Sequence, residues 1–232
     1  MLMGIVHAEP ACTLRIGTCA DYAPFTFVEQ GQLRGFEIDM GNEVCKRLEM
    51  KSEWHDRPFD LLLSELRSGE LDLVAAGMSS SPERKRVVDF SVPYIEGSPT
   101  VCFFPTGREG VSLEALREGK FRAVVNTGYI FERFVVEDLH LEPLRLETAA
   151  DAVLAIQSGQ ADCYITSESN ALGLKSSLGE GWSILECSKT LAEDVSMLLP
   201  KDCKEMQELV NKALREMMAD GTVQAFRTKW RL

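Results

Sequence analysis

A serine-rich segment followed by a cluster of cations is the part of this chain best suited to chemistry. Residues 77–86 read GMSSSPERKR and follow an apolar run over residues 71–76. A buried strand that ends in glycine and serine and leads into a helix presents free backbone N–H groups to a ligand. Arg84 can reach the same point and grip a carboxylate with two parallel hydrogen bonds. The segment predicts a site for a small carboxylate; the alternative is a capped surface helix that faces water.

Composition and charge limit the classes of function. The chain has 232 residues, of which 45% are hydrophobic and 26% are charged, as in a globular protein of one large or two small domains. The formal net charge of −11 argues against nucleic acid and anionic membranes as partners, because both would repel the protein. No apolar run approaches the roughly 20 residues of a transmembrane helix, so we expect no transmembrane segment.

Cysteine and histidine spacing gives no indication of a metal or a cofactor. The seven cysteines form no CxxC pair, and the three histidines lack metal-ligand spacing. Ser–His–Asp spacing and a phosphate-binding loop are also missing from the sequence. We therefore expect no metal, no cofactor and no catalytic residues, and we expect most of the thiols to be buried apolar groups.

The first residues of the chain have the character of a leader. They are apolar and end in Val6-x-Ala8, a small-residue pattern like that of a signal-peptidase site. We interpret residues 1–12 either as a signal-peptide remnant or as a disordered N-terminus.

Strands and helices alternate along most of the chain. Two similar stretches, over residues 14–93 and 100–185, predict two α/β lobes with a mainly parallel sheet. A turn between Gly31 and Gly35 precedes the first helix. Near the end of the chain we predict two separate strands, over residues 182–185 and 195–199, and then two helices.

Four small or polar residues stand where predicted strands end: Thr18, Gly77, Asn126 and Thr166. Ligands of α/β sheets bind beyond the carboxyl ends of the strands. The convergence of these positions supports a binding site over a simple surface helix at residues 77–86.

Several short motifs, taken together and in order, resemble a known family. They are the segments of residues 23–25 (APF), 35–40 (GFEIDM), 77–79 (GMS), 83–84 (ER) and 89–91 (DFS). Each is weak alone. In combination the chain resembles, from about residue 14 to residue 230, the polar amino-acid-binding proteins of bacterial ABC importers. These are the family 3 extracellular solute-binding proteins, which include glutamine- and arginine-binding proteins.

The resemblance implies a type II periplasmic-binding-protein fold. Two α/β lobes would be joined by two hinge strands, with the ligand in the cleft between them, and would close around it. Lobe one would be discontinuous, over residues 13–94 and 195–232. Lobe two would cover residues 97–190.

The resemblance also implies a set of ligand-binding residues. Arg84 matches the clamp for the α-carboxylate of the ligand. Ser79 would offer its hydroxyl and N–H group, and Gly77 its carbonyl, to the same molecule. Tyr22 and Phe59 match the aromatic residues that sandwich the ligand side chain, although core packing would explain them equally well. The full set is Cys19, Tyr22, Phe59, Gly77, Ser79, Arg84, Asn126, Gly128, Tyr129, Thr166 and Ser167.

Lobe two would contribute the rest of that set. Gly128 matches the glycine of a turn whose backbone amides also bind carboxylate. Asn126 and Thr166 match positions that contact the ligand side chain, and both are neutral groups with donors and acceptors. Capping of the local backbone is the alternative role for these two residues.

Three positions depart from the pattern of the family. Cys19 replaces an acidic residue, Ser167 replaces the aspartate that holds the ligand ammonium, and Tyr129 stands where threonine is common. A buried ammonium needs acceptors, because an unpaired buried charge is very costly. Asp21 and Glu168 lie close by in sequence, and more often such neighbours point to solvent. We therefore predict that glutamine, glutamate or a small neutral amino acid binds better than arginine, lysine or histidine.

These observations predict an extracytoplasmic binding protein without catalysis. It would act as a monomer in the periplasm or elsewhere outside the cytoplasm, or associated with the membrane through its partner, the permease of an ABC importer. The alternatives are a cyclohexadienyl-dehydratase-like enzyme that uses Glu168 or Asp21 as its acid, and a ligand-sensing domain. A nucleophilic Cys19 is less well supported, since no histidine is near it in sequence.

Overall fold

The computed structural model describes residues 12–232, apart from the side chains of residues 189–193. Residues 1–11, which hold nearly all of the predicted signal-peptide remnant, lie outside the described residues. Within residues 12–232, no helix combines the length and the apolar character that crossing a membrane requires.

The first part of the chain contains short strands and three helices. In order, they are β1 (Thr13–Thr18), β2 (Asp21–Tyr22), β3 (Thr26–Glu29), β4 (Gln32–Arg34), α1 (Phe36–Arg47), β5 (Lys51–Asp56), α2 (Phe59–Ser68), β6 (Leu73–Val74), α3 (Pro82–Lys85) and β7 (Val88–Phe90).

The remaining part contains two long strands and the larger share of the helices. In order, they are β8 (Ile95–Pro105), α4 (Leu113–Arg117), β9 (Ala123–Asn126), α5 (Ile130–Arg133) with a π-helical continuation (Phe134–Asp138), β10 (Leu144–Leu146), α6 (Ala149–Gln157), β11 (Cys163–Ser167), α7 (Glu168–Leu178), β12 (Trp182–Val195), β13 (Leu198–Pro200), α8 (Lys204–Ala219) and α9 (Thr222–Trp230).

Two five-stranded sheets form the centres of two lobes. The first has the order β5-β1-β6-β13-β7 and the second β10-β9-β11-β8-β12, while β2, β3 and β4 form a small separate sheet. Strand β1 is parallel to β5 and β6, and β9 is parallel to β10 and β11. Strands β13 and β8 run antiparallel to both of their neighbours. The sheets are therefore mixed, where the sequence predicted a mainly parallel arrangement.

Two crossings connect the lobes. The chain leaves the first sheet after β7 and enters the second with β8, and it returns through β12 to β13. The two strands lie side by side at these crossings, where Ile95 of β8 pairs with Val195 of β12. The prediction of two separate strands over residues 182–185 and 195–199 was wrong, because pairing with β8 keeps residues 182–195 extended as one strand.

The C-terminal helices complete the first lobe. Helices α8 and α9 pack on each other and on α1. Their buried side chains include Val210, Leu214 and Met217, which face the same core as Ile16 and Met40. Most of the apolar face over residues 206–217 is thus buried, whereas Leu209 on the same face is 42% exposed.

Candidate functional site

Arg84 is held by a short capped helix at the end of a buried strand. Ser81 is the N-cap of α3, and its hydroxyl accepts a hydrogen bond from the Arg84 N–H at 3.2 Å. Pro82 occupies the first turn, where its fixed φ favours a helix start. This local geometry places the Arg84 side chain at the interface between the lobes.

The guanidinium of Arg84 connects the two lobes. One nitrogen donates to the Ser79 carbonyl at 2.8 Å, and the other donates to the Gly128 carbonyl of the second lobe at 2.9 Å. An ion pair between Glu83 and Arg133, at 3.9 Å, crosses the same gap. The two donor nitrogens are those that a carboxylate would accept from in a bidentate pair. Arg84, the predicted carboxylate clamp, therefore lies in the cleft, where its guanidinium donates to two carbonyl oxygens.

Three aromatic rings fill the centre of the cleft. Tyr129, at the start of α5, stacks on Phe59 of the first lobe with ring centroids 4.4 Å apart and planes 16° apart. Its ring also contacts Tyr22 at 5.3 Å with a 55° tilt. Tyr22 stacks in turn on Phe25. The structure thus brings both predicted sandwich residues together with Tyr129.

Glycines at two predicted site positions permit close approach or an unusual turn. Gly77 has φ +62°, and a Cβ there would lie 3.1 Å from the Tyr22 ring, so a side chain would displace that ring. Gly128 has φ +78° and donates its N–H to the Glu132 carboxylate at 3.1 Å. The amide that the resemblance assigns to a ligand carboxylate is therefore engaged within the second lobe.

The neutral polar residues of the second lobe form one hydrogen-bonded network. The Ser167 hydroxyl caps α7 by accepting a hydrogen bond from the backbone N–H of Asn170 at 3.2 Å. The Thr166 hydroxyl accepts one from the side-chain amide of Asn170 at 2.9 Å. Asn126 accepts from the Tyr164 hydroxyl and donates to the Leu146 carbonyl. All of these groups therefore have partners inside the lobe, and the network depends on Asn170 and Tyr164, which sequence reasoning did not select.

Cys19 points toward a neighbouring carboxylate. Its thiol donates to Asp21 with a sulfur–oxygen distance of 3.0 Å. Burial, together with this hydrogen bond, raises the pKa of the Cys19 thiol well above its usual range. Burial also raises the pKa of Asp21, against the opposing effect of the hydrogen bond from Cys19. A nucleophilic role for Cys19 is disfavoured, because the thiolate is the reactive form.

We expect this burial to be visible in the reactivity of the thiols. At pH 8 iodoacetamide should modify the exposed Cys12 and Cys203 first and leave Cys19 and Cys45 protected. Burial raises the pKa of Cys45 to about 11, so only about a thousandth of it is thiolate at that pH. Peptide mapping by mass spectrometry measures the order, with the unfolded protein as control. Early modification of Cys19 in the folded protein would contradict the structure.

Acidic side chains predominate at one opening of the cleft. A cavity of about 380 Å³ there is lined by residues of both lobes, including Cys19, Phe59, Asp21, Asp56 and Glu147, and by one cation, Arg57. Asp56 accepts from the Ala20 N–H at 2.9 Å, which fixes its carboxylate beside the cavity. Asp56 and Glu147 were not selected from the sequence, because one ends strand β5 of the first lobe and the other follows strand β10 of the second.

A second, larger opening lies on the side of Arg84. This cavity of about 610 Å³ is lined by α3, the turn at Gly128, and the start of α5, and it includes Tyr129 and Arg133. One ring of the Phe59–Tyr129 stack borders each opening. In the part of the chain that the structure describes, no group of three histidine, cysteine, aspartate or glutamate side chains could hold a metal ion.

Comparison with known proteins agrees with this geometry. The sequence model of the bacterial extracellular solute-binding proteins, family 3, matches residues 14–232. PatH of Vibrio harveyi, provisionally named an amino-acid ABC transporter-binding protein, is 30% identical over 96% of this chain and 90% of its own length.

Solved structures show the same fold. An ancestral arginine-binding protein bound to arginine is similar to this chain, with a TM-score of 0.84 and 32% identity over 94% of this chain and 97% of that one. An ancestral arginine-binding protein bound to glutamine has a TM-score of 0.85 and 31% identity over 96% of this chain and 99% of that one. An ancestral amino acid-binding protein described as a precursor of cyclohexadienyl dehydratase is also similar (0.86, 30%, 94% and 95%). The chain belongs to the family 3 extracellular solute-binding proteins of bacteria and has their two-lobed type II periplasmic-binding-protein fold.

Proposed function

We propose that this protein captures a polar amino acid outside the cytoplasm and delivers it to the permease of an ABC importer. The observation that carries the proposal is the Arg84 guanidinium, which spans the cleft between the Ser79 and Gly128 carbonyls. A ligand carboxylate would replace those two carbonyls as the acceptor. Because a carboxylate adds a negative charge and a bidentate geometry that two separate neutral carbonyls lack, the exchange favours the ligand.

The first lobe supplies most of the proposed contacts. Ser79 is buried beside Arg84 and forms an isolated bridge with Val195 of the returning strand. We assign its hydroxyl and the Gly77 carbonyl to the ligand backbone. Closure of the lobes would exclude water and strengthen each of these polar contacts. In this mechanism no covalent bond is made or broken, and the protein acts as a monomer.

Closure requires hinges, which we place where the two chain crossings pair. The lobe boundaries at residues 94 and 97, and at 190 and 195, stay a prediction. They fit the geometry in that Ile95 and Val195 are partners and the Tyr94 N–H donates to the Val195 carbonyl at 3.0 Å.

The charge around the cleft bears on the ligand side chain. The sequence predicts glutamine or glutamate over arginine or lysine, because the family resemblance implies acidic residues at the positions of Cys19 and Ser167. Asp21, Asp56 and Glu147 line one opening, together with Arg57, whose guanidinium is paired with Glu65 at 2.9 Å. Because carboxylates outnumber the one cation there, a negative side chain would be repelled and a positive one attracted. We therefore keep glutamine as a proposed ligand, add arginine, and expect glutamate to bind poorly.

A thermal-shift screen against the twenty amino acids tests the proposal. A ligand at a hundred times its dissociation constant stabilises the folded state by about 2.7 kcal/mol, which raises Tm by roughly 5–10 °C in a chain of this size. Calorimetry with glutamine, arginine and glutamate then ranks the side chains. If no amino acid raises Tm, the proposal of amino-acid capture is wrong. If glutamate binds most tightly, the acidic opening does not select the ligand side chain.

A dehydratase is the second candidate, because the half-buried carboxyl of Asp21 has a raised pKa and borders the cleft. A raised pKa suits a general acid. Turnover of prephenate that is lost in Asp21→Asn or Glu168→Gln would support this function. No turnover of prephenate or arogenate would leave binding as the function.

A further inference from the structure

Tyr129 occupies the position between the lobes where a ligand side chain would be sandwiched. It belongs to the second lobe, yet the residue is only 8% exposed and its ring lies against Phe59 and Tyr22 of the first lobe. The residue before it, Gly128, accepts the hydrogen bond from Arg84. One short segment of the second lobe therefore contacts both the aromatic and the cationic groups of the proposed ligand site.

The spacing of the rings leaves no room for another group. Carbon atoms in contact are about 3.5–4.0 Å apart, so a side chain between two parallel rings needs a separation of roughly 7 Å. The centroids of Phe59 and Tyr129 are 4.4 Å apart, with planes within 16° of each other. An amino-acid side chain cannot enter this stack unless Tyr129 moves away from Phe59.

We propose that Tyr129 is an internal competitor for the ligand site, which holds the lobes together and must be displaced before an amino acid is sandwiched. This inference rests on the proposed function, because it takes the Phe59 region as the side-chain site. Displacement of Tyr129 also moves Gly128 and releases Arg84 from its carbonyl. The aromatic and the carboxylate parts of the site would therefore become available in the same movement.

Such a competitor lowers the apparent affinity by the fraction of molecules in which the site is blocked. A stacked aromatic pair contributes 0.5–1.5 kcal/mol beyond its buried area, which corresponds to a roughly two- to tenfold effect on a dissociation constant. A ligand must therefore gain more binding free energy than the contacts of Tyr129 contribute. A ligand whose carboxylate binds Arg84 weakly would fail to displace Tyr129.

The first experiment needs no ligand. Small-angle X-ray scattering of the purified protein compares the wild type with Tyr129→Ser and Phe59→Ala, each of which removes one ring of the stack. Both variants are expected to show a larger radius of gyration, since the lobes lose a contact that holds them closed. Phe121→Ser is the control, because that half-buried ring lies in the second lobe under Arg108 and away from the cleft.

The second experiment measures affinity for whichever amino acid the screen identifies. Tyr129→Ser is expected to bind it roughly two to ten times more tightly than the wild type, whereas Phe59→Ala opens the lobes but loses a wall of the site. Circular dichroism verifies that each variant is folded. An unchanged radius of gyration in both variants, or binding that Tyr129→Ser leaves unchanged or weakens, overturns the proposal. If no amino acid binds at all, the scattering still decides whether Tyr129 holds the lobes.

Discussion

Replacing Arg84 with alanine is expected to lower the affinity for the amino acid by between roughly 30-fold and several thousandfold. Truncating one partner of a buried, hydrogen-bonded charge pair costs about 2–5 kcal/mol, and most of this appears in the rate of dissociation. The geometry on which the expectation depends is the pair of donor nitrogens that face the Ser79 and Gly128 carbonyls. Isothermal calorimetry measures the change.

The same helix offers a matched control for this substitution. Arg86→Ala removes an equal charge from an exposed position at the end of α3, so it should leave the affinity within about twofold of the wild type. Arg84→Lys keeps the charge but loses the planar fork, and its affinity should fall between the two. Equal affinities for Arg84→Ala and Arg86→Ala would show that Arg84 is not the carboxylate clamp.

Replacing Gly35 with alanine is expected to destabilise the fold by about 3 kcal/mol or more, which lowers Tm by roughly 6–12 °C. Gly35 has φ 130° and ψ 175°, a combination that is essentially restricted to glycine. A Cβ there would lie 2.1 Å from the Phe25 carbonyl oxygen. Because that obstacle is backbone, it cannot rotate away. Thermal denaturation followed by circular dichroism measures the loss.

Gly31→Ala separates the two contributions to this effect. Gly31 also has a positive φ, of 75°, but a Cβ there meets nothing within 4 Å. It should therefore lose only about 1–2 kcal/mol, the cost of the left-handed backbone alone. Similar losses in the two variants would mean that the contact with Phe25 does not contribute.

Features with a local cause could be predicted from the sequence. Arg84 is one, since the strand end, the Ser81 cap and Pro82 lie within a few residues of it and fix its position. The position of Ser167 is similar, although its role in the structure differs from the predicted one, because this serine caps α7. A hydroxyl at the first position before a helix is a cap signal, and it would have identified this role.

Features that depend on the closure of the lobes could not be predicted. The stack of Tyr129 on Phe59 joins residues 70 positions apart in different lobes, and no periodicity reports such a contact. The same is true of the acidic opening, where Asp56 and Glu147 come together from separate sheets. The full length of β12 was missed for a related reason, because it is set by the partner β8 and not by its own residues.

The position of β13 has a consequence for how the protein is made. This strand lies between β6 and β7, so β7 joins the first sheet only through it. During translation the five strands of the second lobe, β8 to β12, are all complete before residue 198 leaves the ribosome. The N-terminal lobe is therefore the last to be finished, against the usual N-terminal-first order of domain folding. Until then the unpaired strand edges of this lobe can pair with other chains. We therefore expect the nascent protein to be most prone to aggregation before β13 joins the sheet.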